Sequence, residues 1–350
     1  MLHNINIKVT LKYYNNMKKY ILSFFSICLA TFTLAQEAEK TPSPWSCTGV
    51  VGLNASATGL VNWAAGGNNN INGIAFGKLR LLYNENDLSW ETNLNLEYGL
   101  SYIDQKHDPL QKSSDVIDFN TKFGWQFHKA WYLTAAAGFK SQMAYGRAYD
   151  GTEAKDPITS KFLSPSYTDI SVGIDWKPNS IFSLYLSPVA GKITTAYVGD
   201  AVEAANPGLR MQMQEKYGTW SYVKGSNEKD YSKSYKAELG LSFKGNINYT
   251  YKDLKIITSL GLFTPYAWDK TEVLDDAGLF VGYRDNNRRF GNFDVDWDTS
   301  ISYQFLKCLN VTLSTSLKYY NGVKIADAEG VLAERVQFKG VLGLGVGYSF

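Results

Sequence analysis

From Trp45 to Phe350, polar and apolar residues alternate in about twelve segments, each about 10 to 17 residues long. A period of two marks a strand whose faces meet different surroundings. In the last segment Phe338, Leu342, Leu344, Val346, Tyr348 and Phe350 share one face, with Arg335, Gln337, Lys339, Gly343, Gly345, Gly347 and Ser349 on the other. Tyr235, Leu239, Leu241, Phe243, Ile247, Tyr249 and Tyr251 alternate in the same way with Lys236, Glu238, Ser242, Lys244, Asn246 and Asn248. In a third segment Phe293, Val295, Trp297, Ile301, Tyr303 and Phe305 oppose Asp294, Asp296, Asp298, Ser300 and Gln304. These segments exceed the five or six residues usual in soluble strands. Aromatics gather at the ends of their apolar faces, as in interfacial girdles.

The connections alternate in length. Short turns fall near Asn84–Asp87, Lys129–Ala130, Pro178–Asn179, Lys252–Asp253 and Lys307–Leu309. Long polar loops fall at Gln105–Ser114, Arg147–Ser166, Ala196–Lys233, Asp269–Arg289 and Gly322–Glu334, with an intermediate connection at Ala64–Asn70. This predicts an all-β, antiparallel, up-and-down transmembrane barrel of about 12 strands, with short periplasmic turns, long external loops and both termini in the periplasm. Closure follows from the solvent: in lipid every backbone N–H and C=O needs a partner, so the sheet has no free edge. No repeat of propeller or solenoid type is visible. No plug domain is expected, because only about ten residues precede the first strand after processing.

Composition agrees. Of 350 residues 15% are aromatic, 24 of them tyrosine, against only 9 prolines. Mean hydropathy is −0.24, and past the N-terminus no apolar run approaches the roughly 18 residues of a spanning helix. A barrel tolerates such polarity because only alternate residues meet lipid. A formal charge of +2 without a basic stripe excludes nucleic acid as a partner.

The N-terminus reads as a signal peptide over residues 1–35. Lys18 and Lys19 precede an apolar Ile21–Leu34, and cleavage is expected after Ala35. Met17 looks like the true start. Residues 36–44 form a short periplasmic segment and 45–350 the barrel. Of the two cysteines that remain, Cys47 opens the first strand and Cys308 follows the tenth. Three strand spacings, about 14 Å, exceed the roughly 7 Å between Cα atoms that a disulfide tolerates, so the two are expected to be unbonded.

The C-terminal run Gly343–Phe350 resembles the assembly signal of outer-membrane barrels. Gly345, Tyr348 and Phe350 fit it, while Gly343 stands where a polar residue is usual. The resemblance implies the barrel-assembly machinery as a partner during biogenesis and outer-membrane lipid afterwards. The stretch Leu60-Val-Asn62-Trp63-Ala-Ala-Gly66-Gly67-Asn68 resembles the opening of an uncharacterised outer-membrane barrel family, a domain of unknown function, from Bacteroidota-type bacteria. That resemblance implies barrel and location and supplies no activity. A glycine turn capped by an interfacial tryptophan would look the same.

Candidate chemistry is sparse. Only His107, in a loop beside Asp108, and His128, at a turn beside Lys129, survive processing. An Asp/His protease could use the His107–Asp108 loop pair, but a solvated loop histidine is the favoured reading, so no enzyme, cofactor or metal site is expected. Asp294, Asp296 and Asp298 point into the lumen about 6.6 Å apart per step. Lys318, Arg335 and Lys339 lie on the next strands, Lys78 and Arg80 on the second, and Glu91 and Glu97 on the third. The favoured reading is a set of opposite-charge ladders between neighbouring strands. A permeation pathway and a hard-cation site are the alternatives.

Two functions remain open. The first is a passive, porin-like channel for small solutes, since twelve strands enclose more than their own side chains fill. The mixed lumen charge argues against strong ion selectivity. The second is a surface protein that binds a partner through its loops, above all through Tyr217, Trp220, Tyr222 and Tyr231 of the longest one.

Overall fold

A computed structural model describes residues 43–58, 70–103, 109–147, 158–223, 228–267, 269–275, 277–306, 309–321, 323–326 and 331–349. The signal peptide, the Leu60–Asn68 stretch, His107, Cys308 and Phe350 lie outside the described residues. Twelve antiparallel strands close into one barrel in chain order. They are β1 (Trp45–Thr58), β2 (Asn70–Glu85), β3 (Leu88–Ile103), β4 (Leu110–His128), β5 (Trp131–Ser141) and β6 (Ser166–Trp176). They continue with β7 (Phe182–Thr195), β8 (Tyr235–Tyr251), β9 (Leu254–Pro265), β10 (Asp294–Gln304), β11 (Leu309–Tyr319) and β12 (Gln337–Ser349).

The alternation seen in the sequence maps onto the wall. Ile71, Leu342 and Leu344, on the apolar faces, are 63%, 68% and 62% exposed on the outside of the barrel. Asp294 on the opposite face of β10 is buried. At the turn end Trp45, Tyr83 and Trp90 form an outer aromatic chain, with ring centroids 5.0 and 5.9 Å apart. Trp131, Trp176 and Phe182 continue it. Two indoles of this outer face are satisfied within the wall. Trp90 Nε1 donates to Thr121 Oγ1 at 2.8 Å, and Thr121 meets Thr92 at 2.9 Å. On the far side Trp297 Nε1 donates to Thr258 Oγ1 at 2.9 Å, and Thr258 meets Thr299 at 2.8 Å.

Three hairpins turn on two residues, the first of which takes positive φ: Asn86 (52°), Lys129 (30°) and Lys252 (51°). That backbone matches the right-handed twist of the strands it joins. Bulges break the alternation on β4, at Ser113 and Phe127, and on β7. At Ser187–Pro188, β7 carries a bulge against both β6 and β8. Proline has no N–H for the ladder. The extra residue turns Lys192 from the outside to the lumen.

The wall closes by pairing β1 with β12, from Val50 with Ser349 to Ala55 with Leu344. This seam is six pairs long, whereas β1 and β2 pair over the whole of Trp45–Thr58. Gly52 lies in it: a Cβ there would stand 2.6 Å from the carbonyl oxygen of Val346. Cys47 is a free, exposed thiol. It pairs with Leu81 and shares the outer face of β1 with Trp45 and Val51.

Candidate functional site

The lumen is crossed by charges from opposite walls. Asp296 of β10 receives Lys318 Nζ of β11 at 2.7 Å, a neighbouring-strand pair of the expected kind. It also receives Lys140 Nζ of β5 at 3.4 Å and Tyr320 Oη at 3.0 Å. β5 and β10 are five strands apart around the wall. With strands about 4.8 Å apart and tilted about 40°, a round twelve-stranded barrel would hold their Cα atoms about 23 Å apart. Extended Lys and Asp side chains plus this gap span only about 13 Å. The wall is therefore drawn in along this diameter. Beside the bridge Tyr167 of β6 stacks on Tyr320, centroids 5.5 Å apart.

Above it, toward the loops, Arg288 descends from the fourth long loop. Its guanidinium is 4% exposed and lies between two carboxylates. Nε and Nη2 donate to Glu238 of β8 at 2.7 Å each, and Nη1 and Nη2 to Asp294 at 2.5 and 2.9 Å. Burial works against this charge, but the hydrogen bonds to Glu238 and Asp294 outweigh it and raise the pKa above the ordinary guanidinium value. Lys192 Nζ reaches Asp294 from β7 at 2.5 Å and lies over the Tyr320 ring. Tyr167, Tyr217, Lys236 and Asn321 help line an open-sided pocket of about 330 Å³ around this cluster.

The longest loop closes over the cluster. It contains α1 (Asp200–Ala205) and α2 (Leu209–Tyr217). Glu203 accepts the N–H groups of Gly208 and Arg210 at 2.8 and 2.7 Å, fixing the start of α2. Gly218 ends it in the left-handed conformation. Leu209 and Met213 bury themselves against Ile158, Ala196 and Val198, a small core outside the barrel wall. Lys216 Nζ and Tyr217 Oη donate to Thr159 O at 3.1 and 3.3 Å. Burial lowers the pKa of the Lys216 ammonium and raises that of the Tyr217 phenol.

The structure corrects several expectations. The long loop is a folded cap, and Tyr217, Trp220 and Tyr231 are engaged within it. Tyr217 turns to the lumen pocket, Tyr231 Oη donates to Glu215 at 2.6 Å, and Trp220 is half-buried beneath Lys229. Tyr222 sits in a short strand, and its side chain lies outside the described residues. The ladders are only partly between neighbours. Arg80 and Glu91 pair across β2 and β3 at 2.8 Å. Glu97 pairs with Lys339 across the seam at 3.7 Å, and Lys339 also meets Ser114 of β4 at 3.1 Å. Arg335 precedes β12 and donates to Val331 O within its own loop, so it is no part of the wall. Asp298 follows Asp296 on the lumen face, and Lys78 lies on the lumen face of β2. Neither has an ion pair among the described residues. Arg288, Lys192 and Lys140 escaped the sequence reading, although Glu238 stood on a polar face already visible there.

A family described as "Protein of unknown function (DUF3078)" matches residues 55–146, a span that includes the Leu60–Asn68 stretch. No curated protein matches the chain. The chain is similar to a solved outer membrane channel from Pseudomonas putida F1, at 10% identity over 90% of this chain and 98% of that one, with a TM-score of 0.37. It is also similar to the translocator domain of autotransporter NalP from Neisseria meningitidis, at 9% identity over 96% and 98%, with a TM-score of 0.33. A third such structure is the NanC porin, at 8% identity over 86% and 97%, with a TM-score of 0.33.

Proposed function

We propose that the chain is an outer-membrane barrel of a Gram-negative cell that serves as a passive channel for small solutes, closed at its loop end in this conformation. The outer face supports the location. Its apolar band and turn-end aromatics suit lipid and its interfaces, and the wall leaves no edge unpaired. On this reading the short turns and both termini face the periplasm. The assembly machinery recognises Gly345, Tyr348 and Phe350, and the reading includes no catalytic step or cofactor.

The observation that carries the channel reading is the contrast between the two halves of the lumen. Toward the turns, lumen-facing Lys78, Asn248, Thr250 and Lys255 are exposed to solvent. Toward the loops, Lys140–Asp296, Tyr167–Tyr320 and the Arg288 cluster fill the cross-section. The protein should co-sediment with outer membranes and migrate faster on a gel unheated than boiled. In planar bilayers the full mature chain should show small or infrequent openings, and removing residues 199–231 should enlarge them. Silence from both proteins would reject the channel.

A second reading, a surface binder, is favoured by one feature. The hairpin Asp269–Leu274 with Phe280–Arg288 carries Leu279, Phe280 and Val281 exposed together at its tip. A contiguous apolar tip of this kind marks an interaction site. Silent bilayers would move the weight here.

A further inference from the structure

The charges of the lumen are sorted along the barrel axis. In the loop half the cations named above each meet a carboxylate. At the level of Lys78, Asp298 faces the lumen and Asp169 meets Lys244 at 3.8 Å; nearer the turns the lumen carboxylates among the described residues are Glu91 and Asp175, and both are taken. Glu91 accepts Arg80 at 2.8 Å and Asn93 Nδ2 at 3.1 Å. Asp175 is fully buried between Lys122 at 2.6 Å and Lys177 at 3.4 Å. Lys78 of β2 and Lys255 of β9 have no acid within ion-pair reach among the described residues, and both are exposed to the lumen. The Lys78 ammonium feels the attraction of Glu97 on the neighbouring strand, beyond ion-pair distance, and the repulsion of Lys255 across the opening. Arg80, Lys122, Lys177, Lys244, Lys78 and Lys255 against Glu91, Asp175, Asp169 and Asp298 leave two surplus positive charges. The turns do not cancel them, because Lys129 and Lys252 there offset Asp87 and Asp253.

We propose that the turn half of the lumen is a selectivity vestibule for small anionic solutes, carboxylates or phosphates, with Lys78 and Lys255 as its specificity-determining residues. The inference deepens the channel reading and rests on it. A cleft of one charge sign between low-dielectric walls concentrates counter-ions, and lysine rings serve anion pores. Each free ammonium can bind an oxyanion without first breaking an internal pair. Summed over the whole lumen the two signs nearly cancel, which is why composition alone suggested no selectivity. Their separation along the axis changes that result.

The test is the reversal potential of the full mature chain in planar bilayers under a tenfold KCl gradient. It uses wild type, Lys140→Ala as a widened pore, and the pair Lys78→Glu with Lys255→Glu. All are first checked for folding by the heat-dependent gel shift, with Lys78→Gln and Lys255→Gln as a milder pair. Chloride should be favoured over potassium by about threefold or more, and inorganic phosphate should reduce the chloride current. The glutamate pair should lose or invert the preference and the phosphate effect; the glutamine pair should abolish both. Conductance without anion preference, or unaltered by these substitutions, overturns the vestibule and leaves the channel standing. No conductance from wild type or from Lys140→Ala removes the channel reading and the vestibule together.

Discussion

Lys140 Nζ and Asp296 Oδ2 stand 3.4 Å apart although four strands of wall separate β5 from β10. The pair is a strut across the lumen. Both side chains are partly open to solvent, so its contribution is nearer to about 1 kcal/mol than to the 3–5 kcal/mol lost when a fully buried pair is broken. Lys140→Ala should therefore lower thermal stability only slightly while raising single-channel conductance by about twofold, on the order expected when one long side chain leaves a constriction. Unchanged conductance with intact folding would show that the narrowest point lies elsewhere.

Arg288 behaves differently, because its removal leaves Glu238 and Asp294 facing each other in a buried site. Arg288→Leu should cost about 3–5 kcal/mol, read as a fall in the unfolding midpoint. Lysine cannot restore two bidentate contacts, so Arg288→Lys should recover only part of the loss. Asp294 keeps Lys192 at 2.5 Å, so adding Glu238→Gln alone to Arg288→Leu should recover part of the stability. If the double variant is no better than the single one, the charge left on Glu238 is not the cause.

The sequence was informative where alternation is strict and uninformative where it breaks. On β8, β10 and β12 the face of each residue follows from parity, and Leu342, Trp297 and Tyr235 are exposed where parity puts them. Counting on from Leu184 and Leu186 would have placed Lys192 outside. The Ser187–Pro188 bulge reverses that, and a lone proline does not announce a bulge. Arg288 was invisible for another reason. It belongs to a loop, and a loop that folds back into a lumen has no periodicity to reveal its contacts. Cross-lumen pairs such as Lys140–Asp296 depend on how far the wall is drawn in, which no local pattern encodes.

The outer wall yields a contrast between faces. Leu342→Arg would set a charge in the apolar band and should cost about 2–4 kcal/mol near mid-bilayer. Ser302→Arg, on the lumen face of β10, should cost under about 1 kcal/mol. Refolding into lipid vesicles with urea titration measures both. Equal losses would mean that the faces are assigned the wrong way round.

The indole of Trp297 and the hydroxyl of Thr258 can be separated by a double-mutant cycle. Trp297→Phe, Thr258→Val and their combination should give a coupling of about 0.6 kcal/mol, and no more than about 2, the range for hydrogen bonds within membranes. A coupling of zero would make the pair a coincidence of packing.

At the seam, Gly52→Ala should be more harmful than Gly345→Ala. The new methyl at 52 meets a backbone carbonyl of β12, whereas the one at 345 meets the side-chain oxygens of Asn54 and Asn310, which can turn aside. Refolding yields in detergent, where no assembly machinery is present, should rank the two in that order. The opposite ranking would show that Asn54 and Asn310 are held as firmly as the main chain.

The shortness of that seam also has a kinetic meaning. Val50 and Ser349 are 299 residues apart in sequence, and contacts of such separation form late. Until they form, β1 and β12 are both open edges, each a template for a foreign strand. Six pairs must then capture a sheet whose eleven other joints are already made. The seam thus sets how long the unfinished sheet stays vulnerable to aggregation, and a defect there would register first as slow maturation rather than as a weaker finished protein.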